Sequence, residues 1–332
     1  MKRISIDDVA RKGRAVKRAE AAVIKSKKTA NPNASDRFSK VKKSLRNGLQ
    51  EKCIGIIVKD LSYPFYTSII AGAKEYATSM GYSVIVTSSD DDHECEKRLS
   101  HLFSEKDIGG TIVAPIVEGT AEIDHLFRLK TMNYPFVLLE AVKGILANSV
   151  AIDNVSAIKM AVKYLMEGGH KRIVHFAGPP QSSHTQERIN GFRHAFSESA
   201  FVIRDDMIVS VGSHYDVSFN ATVDFFRNKQ REEYPTAIVC FNDQQALAVM
   251  TALLKLNIRV PDDISIIGND DIFYAETFPV PLTTIRAPQH EIGKKAAEIL
   301  IRNIESSVAL QPEQIVLETE FIIRKSTKAL NG

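Results

Sequence analysis

From position 53 onward the apolar positions fall into a regular alternation of two periods. Runs at 54–58, 82–86, 111–114 and 136–139 are short and rich in Ile and Val and predict strands. Between them, 65–80, 94–104 and 121–130 carry apolar residues at helical spacing, the first closed by Gly81. A short strand at 150–152 leads away. The pattern then restarts with a helix at 155–166 ended by Gly168-Gly169, a strand at 173–177, a helix at 187–198, a strand at 207–211 and a helix at 219–229. The stretch 236–271 displays the unit most completely. It has an apolar run at 237–241, then Leu247, Met250, Leu253, Leu254 and Leu256 at helical spacing, then an apolar run at 264–267, which predicts a βαβ crossover. The expected fold class is therefore α/β, with parallel sheets wrapped by helices, and the restart implies two similar lobes. The tail predicts a strand at 282–286, a helix at 292–304 and β-rich runs at 315–317 and 321–323. A tail of that kind returns to complete both lobes, and lobes joined by several crossings can hinge.

The first fifty positions have another texture. Ser5-Ile6-Asp7-Asp8 has capping-box spacing, and Ile4, Ile6, Val9 and Ala10 give a short helix an apolar side. A second helical segment at 19–24 runs into Lys25-Ser26-Lys27-Lys28 and stops at Asn31-Pro32-Asn33. Beyond that turn Phe38, Val41 and Leu45 share one face of a helix whose other positions include Lys40, Lys42, Lys43 and Arg46. Such a segment buries little apolar area and is marginal on its own.

Charge sharpens this division. The 332-residue chain carries a net charge of only +3, yet residues 1–52 hold 16 Lys or Arg against 5 Asp or Glu, while the remainder holds 27 against 35. A concentrated basic end points to a polyanion partner there and to a neutral or polar partner for the rest, the alternative being a solvated basic tail. No apolar run approaches the ~18 residues of a membrane span, and Met1-Lys2-Arg3 is followed by charge rather than a signal core, so a cytoplasmic location without membrane contact is expected. Cys53, Cys95 and Cys240 are too scattered for a disulfide framework or zinc cluster, and the histidines lack ligand spacing; no metal or cofactor is assigned.

In an open parallel sheet, ligands sit in the crevice outside the carboxyl ends of the strands. The polar loops that would converge there are 60–66, 88–92, 115–118 and 178–188, with Asn242 and Asp270. Phe65 and Tyr66 offer aromatic faces, while Arg188, Asn242 and Asp270 offer a donor fork, an amide and a carboxylate, a mixture that suits a small polyhydroxylated or heterocyclic molecule. A plainer alternative is that Asp243 caps a helix and Asp270-Asp271 form a solvated turn. No nucleophile elbow, dinucleotide fingerprint or phosphate loop occurs, so an enzyme is not expected. Asp90-Asp91-Asp92 reads as a helix N-terminus rather than a metal site.

The segments CIGIIVKDLSYPFYTSIIAGAKEYATSMGYSVIVTSSDDD, AIDNVSAIKMAVKYLMEGGHKRIVHFAGPP, ERINGFRHAF, AIVCFNDQQALAVMTALLKLNIRVPDDISIIGNDD and PLTTIRAPQHEIGKKAAEIL follow one another in this order. In order and spacing the chain from 52 to 328 resembles the effector-binding core of the lactose and galactose repressor (LacI/GalR) family, a type I periplasmic-binding-protein-like fold. The resemblance implies a homodimer, an effector bound between the lobes, and an N-terminal helix-turn-helix on operator DNA. By position it assigns effector contacts to Phe65, Tyr66, Arg188, Asn242 and Asp270. It likewise makes Leu45 the hinge-helix leucine that wedges into the minor groove, with Lys42, Lys43 and Arg46 also meeting DNA. The implied domains are a headpiece and hinge at 1–51, a first lobe of 52–151 plus 283–309, and a second lobe of 152–282 plus 310–328. The opening MKRISIDDVA matches the family, whereas the usual recognition helix is replaced by RKGRAVKRAEAAVIKSKKTANPNASDRFSKVKK, whose outward groups suit phosphates better than base edges. Two readings follow: an effector-controlled DNA-binding repressor whose ligand is a sugar or nucleoside, or a cytosolic sugar-binding sensor without sequence-specific DNA binding.

Overall fold

A computed structural model describes residues 52–117, 123–227 and 229–330. The headpiece 1–51, with Lys42, Lys43, Leu45 and Arg46, lies outside the described residues.

The predicted alternation is present. The first lobe contains β1 (Cys53–Val58), α1 (Pro64–Ser79), β2 (Ser83–Ser88), α2 (His93–Glu105), β3 (Thr111–Val113), α3 (Asp124–Thr131), β4 (Phe136–Leu138) and β5 (Asn148–Ile152). The second contains α4 (Asn154–Glu167), β6 (Ile173–Ala177), α5 (Ser183–Ser197), β7 (Ile208–Ser210), α6 (Tyr215–Arg227), β8 (Ala237–Cys240), α7 (Asp243–Lys255) and β9 (Ser265–Asp270). The tail adds β10 (Thr283–Arg286), α8 (Gln289–Glu305), β11 (Gln314–Leu317) and β12 (Glu320–Ile322).

Two six-stranded sheets result, in the orders β11-β5-β4-β3-β1-β2 and β12-β10-β9-β8-β6-β7. Neighbours are parallel throughout except β10 and β12. The central strands are apolar on both faces because helices cover both: Ile54, Ile56, Ile57 and Val58 of β1 are fully buried. The outer strand β2 leaves Ile85 half exposed.

The tail corrects the expected division at strand level. The expected first lobe includes β10, yet this strand pairs with β9 in the second sheet. The expected second lobe includes β11, yet this strand extends the first sheet beside β5, with Ile315 opposite Val150. Only α8 and β12 sit where 283–309 and 310–328 put them. Short apolar runs carry no mark of which open sheet edge they will join; partner backbone and register decide that. The chain thus passes between lobes at residue 153, at 287–288 and at 318–319, three crossings of one or two residues each among the described residues.

Helix α8 closes the first lobe by crossing α1 at very short range. A methyl group on Gly293 would meet the Ile69 carbonyl oxygen at 1.8 Å, and one on Gly72 would meet the His290 carbonyl oxygen at 1.9 Å. Both clashes are with backbone, so relief requires moving a whole helix whose Ile292, Ala296, Ile299 and Leu300 are packed in the core. Gly293→Ala is accordingly expected to cost about 1–3 kcal/mol, the usual overpacking range. Urea denaturation monitored by circular dichroism checks this, and an unchanged midpoint would contradict the close crossing.

Candidate functional site between the lobes

The carboxyl ends of β1, β4, β6, β8 and β9 open on one cavity of about 400 Å³, lined from both lobes. This is the size range of a small-molecule site.

On the second lobe the site is built around Arg188, on α5 and buried. Its Nε donates to Asn154 Oδ1 at 3.0 Å, one Nη donates to the Phe241 carbonyl, and the other lies 3.7 Å from Asp270 Oδ1. The guanidinium carbon stands 4.4 Å from the Phe241 ring centroid, stacked on an aromatic face. Two hydrogen bonds, a nearby carboxylate and an aromatic face thus offset the burial of the charge.

Asp270 ends β9 with φ at 118°, and Asp271 follows at 54°, both in the left-handed region that side chains seldom occupy. Tyr63 of the first lobe donates its hydroxyl to Asp270 Oδ2, and Asn269 Nδ2 donates to Oδ1 at 2.6 Å. Burial raises the Asp270 pKa, with the Arg188 charge opposing. Asp243 underpins this turn: fully buried, it accepts from Ile272 N at 2.9 Å and from Thr284 Oγ1 at 2.6 Å. Gly268 makes room for it, since a Cβ there would lie 2.2 Å from Asp243 Oδ1. Asn242 is the cap of α7, accepting from Gln245 N at 2.7 Å, while its amide faces Ser213 O at 3.4 Å. Hence the plainer alternative is corrected on two counts: Asn242, not Asp243, caps the helix, and Asp270 is buried rather than in a solvated turn.

On the first lobe Phe65 and Tyr66 open α1 in an edge-to-face pair 5.3 Å apart, with Tyr63 stacked 6.0 Å from Phe65. Beside them Lys59 and Glu140, at the ends of β1 and β4, are paired at 3.0 Å. Burial works against both charges. Even so, the Lys59 ammonium stays well above its ordinary value because Glu140 holds it, and the Glu140 carboxyl well below because His184 and Lys59 hold it.

A profile of the periplasmic binding protein-like domain matches residues 162–327. The HTH-type transcriptional repressor PurR of Photobacterium profundum is 30% identical over 283 residues, spanning 84% of this chain and 82% of the relative. The chain belongs to the LacI family of transcriptional repressors. The arabinose metabolism transcriptional repressor of Geobacillus stearothermophilus is 28% identical over 284 residues, covering 84% of this chain and 78% of that one. Among solved structures, a LacI family transcriptional regulator from Enterococcus faecium with bound ribose superposes with a TM-score of 0.72 at 23% identity, covering 84% of this chain and all of that one, which shows the shared fold. Members of the family are effector-controlled repressors and not enzymes.

Phe65, Tyr66, Arg188, Asn242 and Asp270 all line the one cavity. Sequence reasoning singled out none of Lys59, Glu140, Asn154 or His184, which also line it. A signal was available for three of them: Lys59 and Glu140 directly follow the apolar runs of β1 and β4, and Asn154 follows β5 by two positions, where strand ends meet the crevice. Of the three acidic residues after β2, Asp92 caps α2 as expected, accepting from Glu94 N at 2.8 Å.

Asp243 gives this site a pH signature. Burial, with Asp270 adding to it, raises its pKa from 3.8 to about 7. The folded state then binds more protons than the unfolded state between those values, so stability falls as pH rises across that window and levels off above it. The slope is roughly 1 kcal/mol per pH unit. Asp243→Asn, whose amide can still accept from Ile272 and donate to Thr284, is expected to remove this decline; urea midpoints measured across the window check it, and an unaltered slope would contradict the assignment.

Proposed function

We propose that this repressor acts as a homodimer on operator DNA in the cytoplasm, its operator affinity set by a neutral polyhydroxylated effector, a sugar or a nucleoside, held between the lobes. The observation that carries this is the pairing of charges around the cavity. Arg188 with Asp270 on one lobe and Lys59 with Glu140 on the other each present a donor beside an acceptor. A hydroxyl group both donates and accepts, so it satisfies such a pair, whereas a net charge of either sign meets one repelling member. Phe65, Tyr66 and Phe241 supply faces for a sugar or base ring. The E. faecium neighbour with bound ribose is in keeping with this chemistry.

In this reading Arg188, Asn242 and Asp270 hold the effector's polar groups and Phe65 and Tyr66 cover its ring. Lys42, Lys43 and Arg46 meet phosphates, and Leu45 enters the minor groove. Arg188→Ala takes a charged donor from the effector and the neighbouring positive charge from Asp270, a loss of about 1.5–3 kcal/mol, or roughly tenfold to a hundredfold in affinity. Titration calorimetry against the tightest binder in a panel of neutral sugars and nucleosides reads this directly, and equal affinity would remove Arg188 from the site.

A second reading rests on the basic replacement for the recognition helix: a sugar sensor whose DNA contact is to phosphates alone. Selection of duplexes from randomised DNA at two salt concentrations separates the two. The repressor reading expects a two-fold symmetric site that persists at higher salt; binding that is uniform across sequences and lost with salt supports the sensor.

A further inference from the structure

Glu140 reaches from the end of β4 across the cleft to the first turn of α5. Its Oε1 lies 3.1 Å from His184 Nε2 and 3.0 Å from Lys59 Nζ, and its Oε2 accepts from Ser183 Oγ at 2.6 Å. Lys59 and Glu140 belong to the first lobe and Ser183 and His184 to the second, so one buried carboxylate is shared between them. The partial positive charge at the start of the 15-residue α5 favours an anion at that place. We propose that Glu140, Ser183 and His184 form a latch between the lobes that tightens as His184 takes up a proton, so that the cleft closes more readily in mildly acid solution.

The surroundings of His184 set the direction of the effect. Glu140 faces it from β4, Glu187 from its own helix with Oε2 3.8 Å from Nδ1, and Asp270 from β9. Against these stand Lys59 from β1 and Arg188 on α5, while Asn154 at the start of α4 places its amide nitrogen 3.2 Å from Nδ1. Burial alone lowers the imidazole pKa, but Glu140 and Glu187 outweigh it and hold the group above its ordinary 6.5. Glu187 travels with His184 on α5 when the cleft opens; Glu140 stays behind on the other lobe. The imidazole pKa is therefore higher closed than open, and closing takes up protons. The bonus to closure is complete below the open-state pKa and disappears as pH rises through the closed-state pKa. It amounts to about tenfold in the closing equilibrium for each pH unit between the two.

A competing titratable contact exists at the cleft mouth. His214 of the second lobe lies 3.9 Å from Asp60 and 3.5 Å from Asp91 of the first, in a more exposed position.

The latch concerns the same cleft as the proposed effector site, but its closure can be followed without effector, so either idea can fail alone. The chain contains no tryptophan, and Leu61, beside Asp60, is 49% exposed. Leu61→Trp in the full-length chain provides an emission probe, read from about pH 5 to 9 with the radius of gyration from small-angle scattering, in a range that spans histidine titration. The expected result is a single transition to a more compact form on acidification, abolished in His184→Gln, moved to lower pH in Glu140→Gln and retained in His214→Gln. Histidine NMR on the same proteins assigns the titrating ring, and His184→Asn repeats the test should the glutamine variant fold poorly. A pH-independent wild type, an undiminished transition in both His184 variants, or a transition lost only in His214→Gln overturns the latch.

Discussion

A guanidinium taken out of water needs acceptors and a compensating charge, and the second lobe supplies them for Arg188. Asn154 comes from the start of α4, the Phe241 carbonyl and ring from the end of β8, and Asp270 from the end of β9. These three places are distant in sequence and adjacent only because β6, β8 and β9 are neighbours in one parallel sheet. The site depends on that order. Asp243 in turn accepts from Ile272 N, two residues beyond Asp270, so a helix residue outside the cavity wall braces the segment that follows a cavity carboxylate.

The two lobes meet through polar groups as well as through covalent crossings. Tyr63 reaches Asp270, and Glu140 reaches Ser183 and His184, each contact joining first lobe to second. Contacts of this kind exist only while the lobes are together, so each favours the closed arrangement over an open one. This is the physical basis on which a ligand with different affinities for open and closed forms shifts the balance between them. In a repressor, such a shift is what a small molecule has to accomplish.

Much of the fold was legible because helix and strand periods are local properties. The run at 237–241, the helical spacing from Leu247 to Leu256 and the run at 264–267 became β8, α7 and β9 with boundary changes of a few residues. Asn242 and Asp270 were legible because a parallel strand must end at the crevice and polar residues at such ends have few other places to go, whereas Arg188, inside α5, was legible from the family resemblance of its segment. Lys59 and Glu140 sit at equivalent ends, yet a lone charge after an apolar run is also what an ordinary solvated loop looks like. Only their mutual distance of 3.0 Å, inside a buried wall, distinguishes them.

The sequence by itself determined the alternation of elements, the doubling into two lobes, and which strand ends carry the polar groups of the second lobe, since each of these follows from spacing along one short stretch. Tertiary structure alone decided that β10 joins the second sheet and β11 the first, because equivalent apolar runs compete for sheet edges that exist only after folding. It also decided that Glu140 is shared with His184. Two side chains on opposite sides of a cleft meet only when the lobes have taken up one orientation, and no local pattern encodes that orientation.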